Sequence, residues 1–168
     1  PGGMEAARLL ASQGHQVTLW EGSKDLGGTA RIAALAYQPN ERLIDYLAAE
    51  IHRLPIDLHM GKRADADAIR KQQADHVILA TGADEHKPTE YLYGEDERVW
   101  TQLELEEKLA GQDEAIGNAR SLVMIQCVGC RQEGRDYCAR VCCSQAVKNA
   151  LALLEQRPEM EIFILYRD

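Results

Sequence analysis

Five cysteines, Cys127, Cys130, Cys138, Cys142 and Cys143, crowd into the stretch QCVGCRQEGRDYCARVCCSQAV, and the rest of the 168-residue chain holds none. Scattered core cysteines act as small hydrophobes and would be spread along the sequence. Sulfurs bunched among glycines and arginines instead suit a metal or redox centre that needs several thiolates at one point. An odd number of cysteines, two of them adjacent, is a poor disulfide framework and fits a reducing compartment. The spacing is neither that of ordinary bacterial ferredoxins nor that of paired C-x-x-C zinc knuckles. Iron–sulfur and zinc both stay open on spacing alone, and Cys127-Val128-Gly129-Cys130 also reads as a C-x-x-C redox dithiol.

The elements around these sulfurs follow from hydrophobic pattern. RSLVMIQCVGC reads as a buried strand, the cysteine loop follows, CSQAVKNALALLEQRP is a helix stopped by Pro158, and EIFILYRD is another strand. Cys127 then ends a strand, Cys138 lies in a loop, and Cys142 and Cys143 stand at a helix start, where the dipole and free N–H groups stabilise thiolates. A similar unit opens the chain. PGGMEAARLLASQGHQVTLWEGS runs as a Gly-rich turn, a helix with Met4, Ala7, Leu10 and Ala11 at helical spacing, a stop at Gly14, and a strand ending in Glu21. Leu43, Ile44, Leu47 and Ile51 share one helical face, PIDLHM is a short strand, and residues 65–73 form a short polar helix. HVILATGA has the continuous apolar run of a parallel strand buried on both faces. Residues 84–98 are polar and turn-rich. Thr101 and Glu104 make a capping-box signature for the next short helix, whose Glu104, Glu106 and Glu107 are expected on a solvated face.

The expected fold is α/β, a Rossmann-like parallel sheet with flanking helices and two βαβ units. Residues 1–98 form a partial dinucleotide fold, and residues 99–168 start a second Rossmann-like unit carrying the cysteines. A dinucleotide fold places its first strand immediately before G-x-G-x-x-G, so the chain is expected to be a segment truncated inside that motif. In that frame Gly2 lies beside a pyrophosphate, Gly3 permits close helix–strand packing, and Glu21 stands about twenty residues on, where a carboxylate bonds a ribose hydroxyl. Gly27 and Gly28 permit close backbone approach to a cofactor, while Thr81 and Gly82 end a strand at the carboxyl edge where ligands lie.

Composition narrows the function class. A net charge of −8, with basic residues interspersed among acids, argues against nucleic acid as a main partner. There is no run of about eighteen apolar residues and no signal-peptide layout, so no membrane span is expected and the compartment is read as cytoplasmic. The five histidines are scattered without metal spacing and are read as surface or strand-end residues.

EGSKDLGGTAR, from Glu21 through Gly27 and Gly28 to Arg31, resembles the two-glycine segment of flavin-binding oxidoreductases of the glutathione- and thioredoxin-reductase kind. ATGA at 80–83 resembles their second flavin-side motif, which makes FAD the expected dinucleotide. VWTQLELEEKL and the segment from Arg120 to Asp168, with its CVG strand end and YCARVCC loop, resemble heterodisulfide reductase A-like iron–sulfur flavoproteins. That resemblance implies that Cys127, Cys138, Cys142 and Cys143 hold a 4Fe–4S cluster. Cys130 departs from the pattern, where serine is usual, and is taken as a spare thiol or alternative ligand. Arg131, Arg135 and Arg140 would offset cluster charge. The cysteines fill the loop where two-dinucleotide reductases bind NAD(P)H. The expected role is thus relay of electrons between FAD and the cluster, among other redox subunits of a larger complex, with a homodimer also considered. The alternatives are a thioredoxin-reductase-like flavoprotein with a Cys127/Cys130 dithiol and a non-enzymatic zinc-stabilised assembly module. No catalytic residue is assigned.

Overall fold

Helix α1 (Gly2–Ser12) buries Met4, Ala7 and Ala11, one stripe at intervals of three and four residues. Gly14 lies in the left-handed region at φ +89°, which is what lets the chain leave the helix for strand β1 (Val17–Trp20). After α2 (Thr29–Ala36), α3 (Pro39–Arg53) buries Ile44, Leu47 and Ile51. Leu43, expected on that face, is instead 52% exposed, because the apolar stripe is only wide enough for three of the four positions. β2 (Ile56–His59) pairs parallel with β1, in register from Val17 with Ile56 to Trp20 with His59. The short α4 (Ala66–Lys71) follows, capped by Asp65.

The computed structural model describes residues 1–167, which divide into two compact units, each considered by itself. The first comprises Pro1–Ala34 with Gln38–Ala83; the second comprises Leu35–Tyr37 and the chain from Asp84 onward. The core of the first gathers Met4, Ala7, Leu26, Leu47 and Ile51 against β1 and β2. Ile51 is 1% exposed at its centre. We expect Ile51→Ala to lower the stability of this unit by about 3 kcal/mol through lost burial and a residual cavity, measured as a shift in the urea midpoint without a change in slope.

The expected strand HVILATGA does not form. Residues 76–83 have no strand assignment, and Val77, Ile78 and Leu79 are 53%, 59% and 77% exposed. An apolar run becomes a buried parallel strand only with hydrogen-bonding neighbours, and among the described residues β1 and β2 pair only with each other. The segment nevertheless touches the unit: a Cβ on Gly3 would lie 3.2 Å from Ala80 Cβ.

In the second unit Thr101 caps α5 (Gln102–Ala110). Its hydroxyl accepts from Glu104 N–H while the Glu104 carboxylate accepts from Thr101 N–H, the reciprocal pattern expected from the sequence. Then come α6 (Glu114–Asn118), β3 (Ser121–Ile125), α7 (Cys142–Gln156) and β4 (Glu161–Leu165), and β3 pairs parallel with β4. Asp168, the last residue of the expected strand EIFILYRD, lies outside the described residues. Leu105, Leu109, Ile116, Met124, Ala146, Ala150, Leu153 and Met160 form the core, so α5 and α7 cover one sheet face.

One acidic residue of α5 is not where the sequence put it. Glu106 is completely buried, paired through Oε1 with Lys148 Nζ at 2.7 Å. A buried charge needs partners, and α7 supplies them from a distant part of the chain. Asp113 caps α6 and accepts from Lys108, whose ammonium holds the Asp113 carboxyl below the usual aspartate range. A lowered folded-state value means this contribution is present at neutral pH and lost as pH falls through the acid range. We expect Asp113→Asn to flatten the acid limb of the stability profile of this unit, measured by urea titration at stepped pH.

Candidate metal centre

The backbone ladder outlasts β3 by one residue: Gln126 N–H donates to Leu165 C=O at 2.8 Å. Cys127 then turns sharply away at φ +63°, so it follows the strand instead of ending it. Cys130 N–H closes the turn on Cys127 C=O, and both cysteines are buried. Arg131 and Arg140 also sit in the left-handed region, at φ +54° and +62°. Non-glycine residues in that conformation persist only where their surroundings impose it, and such residues concentrate at functional sites.

Between the cysteines a tight antiparallel bridge joins Gln132 and Arg135, with Gly134 at φ +77°. The loop is tied to the end of β4 by two arginines, each donating to the other's carbonyl: Arg131 Nη1 to Arg167 O at 2.7 Å and Arg167 Nη1 to Arg131 O at 3.3 Å. Cys138 is exposed, and its Sγ accepts from Arg140 N–H at 3.3 Å. Cys142 and Cys143 open α7, as expected.

The Cys143 thiol is pushed up by partial desolvation and then by Cys142, Cys127 and Cys138. Since Cys143 is exposed, the crowding of sulfurs is the informative part. Sulfurs near enough to act on the Cys143 thiol are near enough to be drawn together by a shared cation, which favours the thiolate form of its ligands. Among the described residues no three His, Cys, Asp or Glu side chains already stand at ligating distance. The sulfurs are neighbours, not a closed cage.

In the first unit the expected nucleotide residues fall into two places. Gly3, at the start of α1, lies against Ala80 and within 3.9 Å of Leu19 Cδ1, which brings the helix start beside Thr81 and Gly82 and the end of β1. A Cβ at Gly2, Gly28 or Gly82 would meet nothing within 4 Å, so this backbone is open to a ligand. Gly27, at φ +115°, is needed for packing: a Cβ there would come within 2.9 Å of Ile44 Cγ2 and Arg31 Cγ. The Glu21 carboxylate is engaged by Ser23, accepting from its N–H and its hydroxyl at 2.9 and 3.0 Å. Trp20 Nε1, next to it, is buried without a partner.

The 2-naphthoyl-CoA reductase structure superposes on 96% of this chain with a TM-score of 0.62, at 22% identity and over 26% of its own length, and so shares its fold. No family profile matches. Relatives include an N,N-dimethylglycine/sarcosine dehydrogenase of Chromohalobacter salexigens, 44% identical over 49% of this chain and 12% of its own length. The A-type iron–sulfur component of the CoB–CoM heterodisulfide reductase of Methanocaldococcus jannaschii is 36% identical over 58% of this chain and 17% of its own length. The chain is a homologue of the A-type component of heterodisulfide reductase and of related oxidoreductases. It spans less than a fifth of the length of these curated relatives.

One site neighbour escaped the sequence reading. His86 lies on the cysteine loop: a Cβ on Gly129 would overlap its ring, and its Nδ1 is 3.5 Å from Arg135 Nη1. A lone histidine in a turn-rich segment carries no spacing signal, so only the fold reveals it. Among the described residues no helix is long and apolar enough to cross a membrane.

Proposed function

We propose that the chain is an electron-relay module of an oxidoreductase. In this reading the thiolates of Cys127, Cys138, Cys142 and Cys143 hold a 4Fe–4S cluster, and the open glycine edge of the first unit holds FAD. The observation that carries it is that one loop, held by the Arg131–Arg167 bonds, brings Cys127, Cys138 and Cys142 near enough to act on the Cys143 thiol. Such a cluster supplies one-electron transfer and a flavin two-electron transfer, the pairing needed to split or merge electron pairs.

The chain's own groups have definite tasks. Arg140 N–H steadies the Cys138 sulfur, the start of α7 carries Cys142 and Cys143, and the Arg131–Arg167 bonds hold the loop against the end of β4. Gly2 and Gly3 would let a diphosphate approach the α1 N-terminus, Gly27 and Gly28 would shape the following turn, and Arg31, Thr81 and Gly82 would complete the cofactor site. Glu21 would exchange its bonds to Ser23 for a ribose hydroxyl. Other redox subunits serve as partners in a larger assembly, in keeping with the names of the relatives, which mark them as components of multi-subunit reductases.

Anaerobic purification with iron, acid-labile sulfide and flavin measured on one sample tests this. About four irons and four sulfides per chain, with broad absorbance near 400 nm, are expected. Stoichiometric zinc would favour the assembly-module reading, and a metal-free chain with a reversible Cys127–Cys130 disulfide would favour the dithiol.

A further inference from the structure

Helix α7 carries two of the four sulfurs on a first turn that little holds in place. Its N-cap is Val141, which makes no side-chain cap bond, and its buried stripe of Ala146, Asn149, Ala150 and Leu153 begins only on the second turn. Apolar packing below that turn does not by itself select one rotation or register of the helix, because alanines and leucines tolerate sliding.

Polar contacts to α5 do select one. Gln145 Nε2 donates to Glu106 Oε1 at 3.1 Å, and Asn149 Nδ2 donates to Gln102 Oε1 at 2.8 Å. The two ties are spaced four residues apart on both helices, so they stack on facing ridges. Lys148 Nζ reaches the same Glu106 oxygen at 2.7 Å. Glu106 and Asn149 are both fully buried, yet Glu106 Oε2 and Asn149 Oδ1 have no hydrogen-bond partner among the described residues. Half-satisfied buried polar groups are a poor source of stability, and apolar residues of similar size would serve a core at least as well. Their use is better matched to register, the role for which buried polar residues are best attested.

We infer that Glu106 and Asn149 are positioning residues: with Gln145 and Gln102 they form a polar register lock that presents Cys142 and Cys143 to the metal site. A one-turn slip of α7 would move both sulfurs by about 5.4 Å, further than ligation tolerates. The inference rests on the proposed metal-binding role of these cysteines, but the lock itself is a property of the metal-free chain.

The test compares Gln145→Ala, which cuts one tie and leaves the Glu106–Lys148 pair intact, with Glu106→Gln, which keeps an oxygen acceptor for Gln145. Cysteine alkylation in the metal-free full chain is followed site by site by mass spectrometry, with Cys130 as internal reference for general loosening. Gln145→Ala is expected to raise the Cys142 rate about tenfold relative to Cys130, and Glu106→Gln to stay within about twofold of the parent. On reconstitution with ferrous iron and sulfide, Gln145→Ala should also retain several-fold less iron and show an altered electron paramagnetic resonance signal at an unchanged melting temperature. An unchanged Cys142 rate, or a parallel rise at Cys130, overturns the lock. If Glu106→Gln loosens Cys142 as much as Gln145→Ala does, the tie to Gln145 is overturned. A parent chain that takes up no iron overturns the proposed function and leaves the alkylation contrast to decide the lock.

Discussion

Cys127→Ser is expected to abolish cluster retention, taking iron from about four per chain to below one, while Cys130→Ser retains a full complement. The two residues are three apart, both buried, and joined by a backbone hydrogen bond, so composition and exposure do not separate them. Cys127 is placed in the ligand set because it acts on the Cys143 thiol from a sharp turn at φ +63°. A serine hydroxyl is a far weaker ligand for iron than thiolate, so losing one of four ligands opens the site to solvent. The measurement is iron and sulfide content after anaerobic reconstitution, with Cys138→Ser, Cys142→Ser and Cys143→Ser alongside. Equal loss from Cys127→Ser and Cys130→Ser would move Cys130 into the ligand set. Loss from Cys130→Ser alone would overturn the assignment.

Gly129→Ala should destabilise the second unit by about 2–4 kcal/mol, by two separable causes. Gly129 has φ +72°, where an L side chain costs roughly 1–2 kcal/mol, and its Cβ would overlap the His86 ring. Because His86 is an exposed side chain on a turn-rich segment, it can be trimmed without opening the core. The double variant Gly129→Ala/His86→Ala is therefore expected to recover the steric share and keep the backbone share. Trp100 reports on this unit in a Trp20→Phe background, so urea titration of its fluorescence gives both values. Additive losses in the double variant would mean that His86 does not press on the cysteine loop.

The likeness to the A-type component of heterodisulfide reductase bears on the first of these results more than the second. That relative's name carries an iron–sulfur group, whereas the packing of His86 on Gly129 is a property of this chain whatever metal it holds.

Local chemistry was legible in the residues themselves. Thr101 and Glu104 announce a helix start because both halves of the capping box lie within one turn, and Gly14 announces a helix end because only glycine enters that conformation cheaply. A helix starting beside Cys142 and Cys143, a parallel sheet and the crowding of five sulfurs were equally readable. Other features depended on partners distant in the sequence. HVILA reads as a buried strand from its own composition, but a strand exists only where another strand hydrogen-bonds to it, and 76–80 has none among the described residues. Glu106 reads as solvated because its neighbours in sequence are acidic; it is buried because Gln145 and Lys148, 39 and 42 residues on, supply its donors. His86 meets Gly129 through a loop closure that no periodicity encodes. Sequence pattern reports what a residue does within its own element, while burial of a charge and convergence of thiols are set by which elements come to lie against each other.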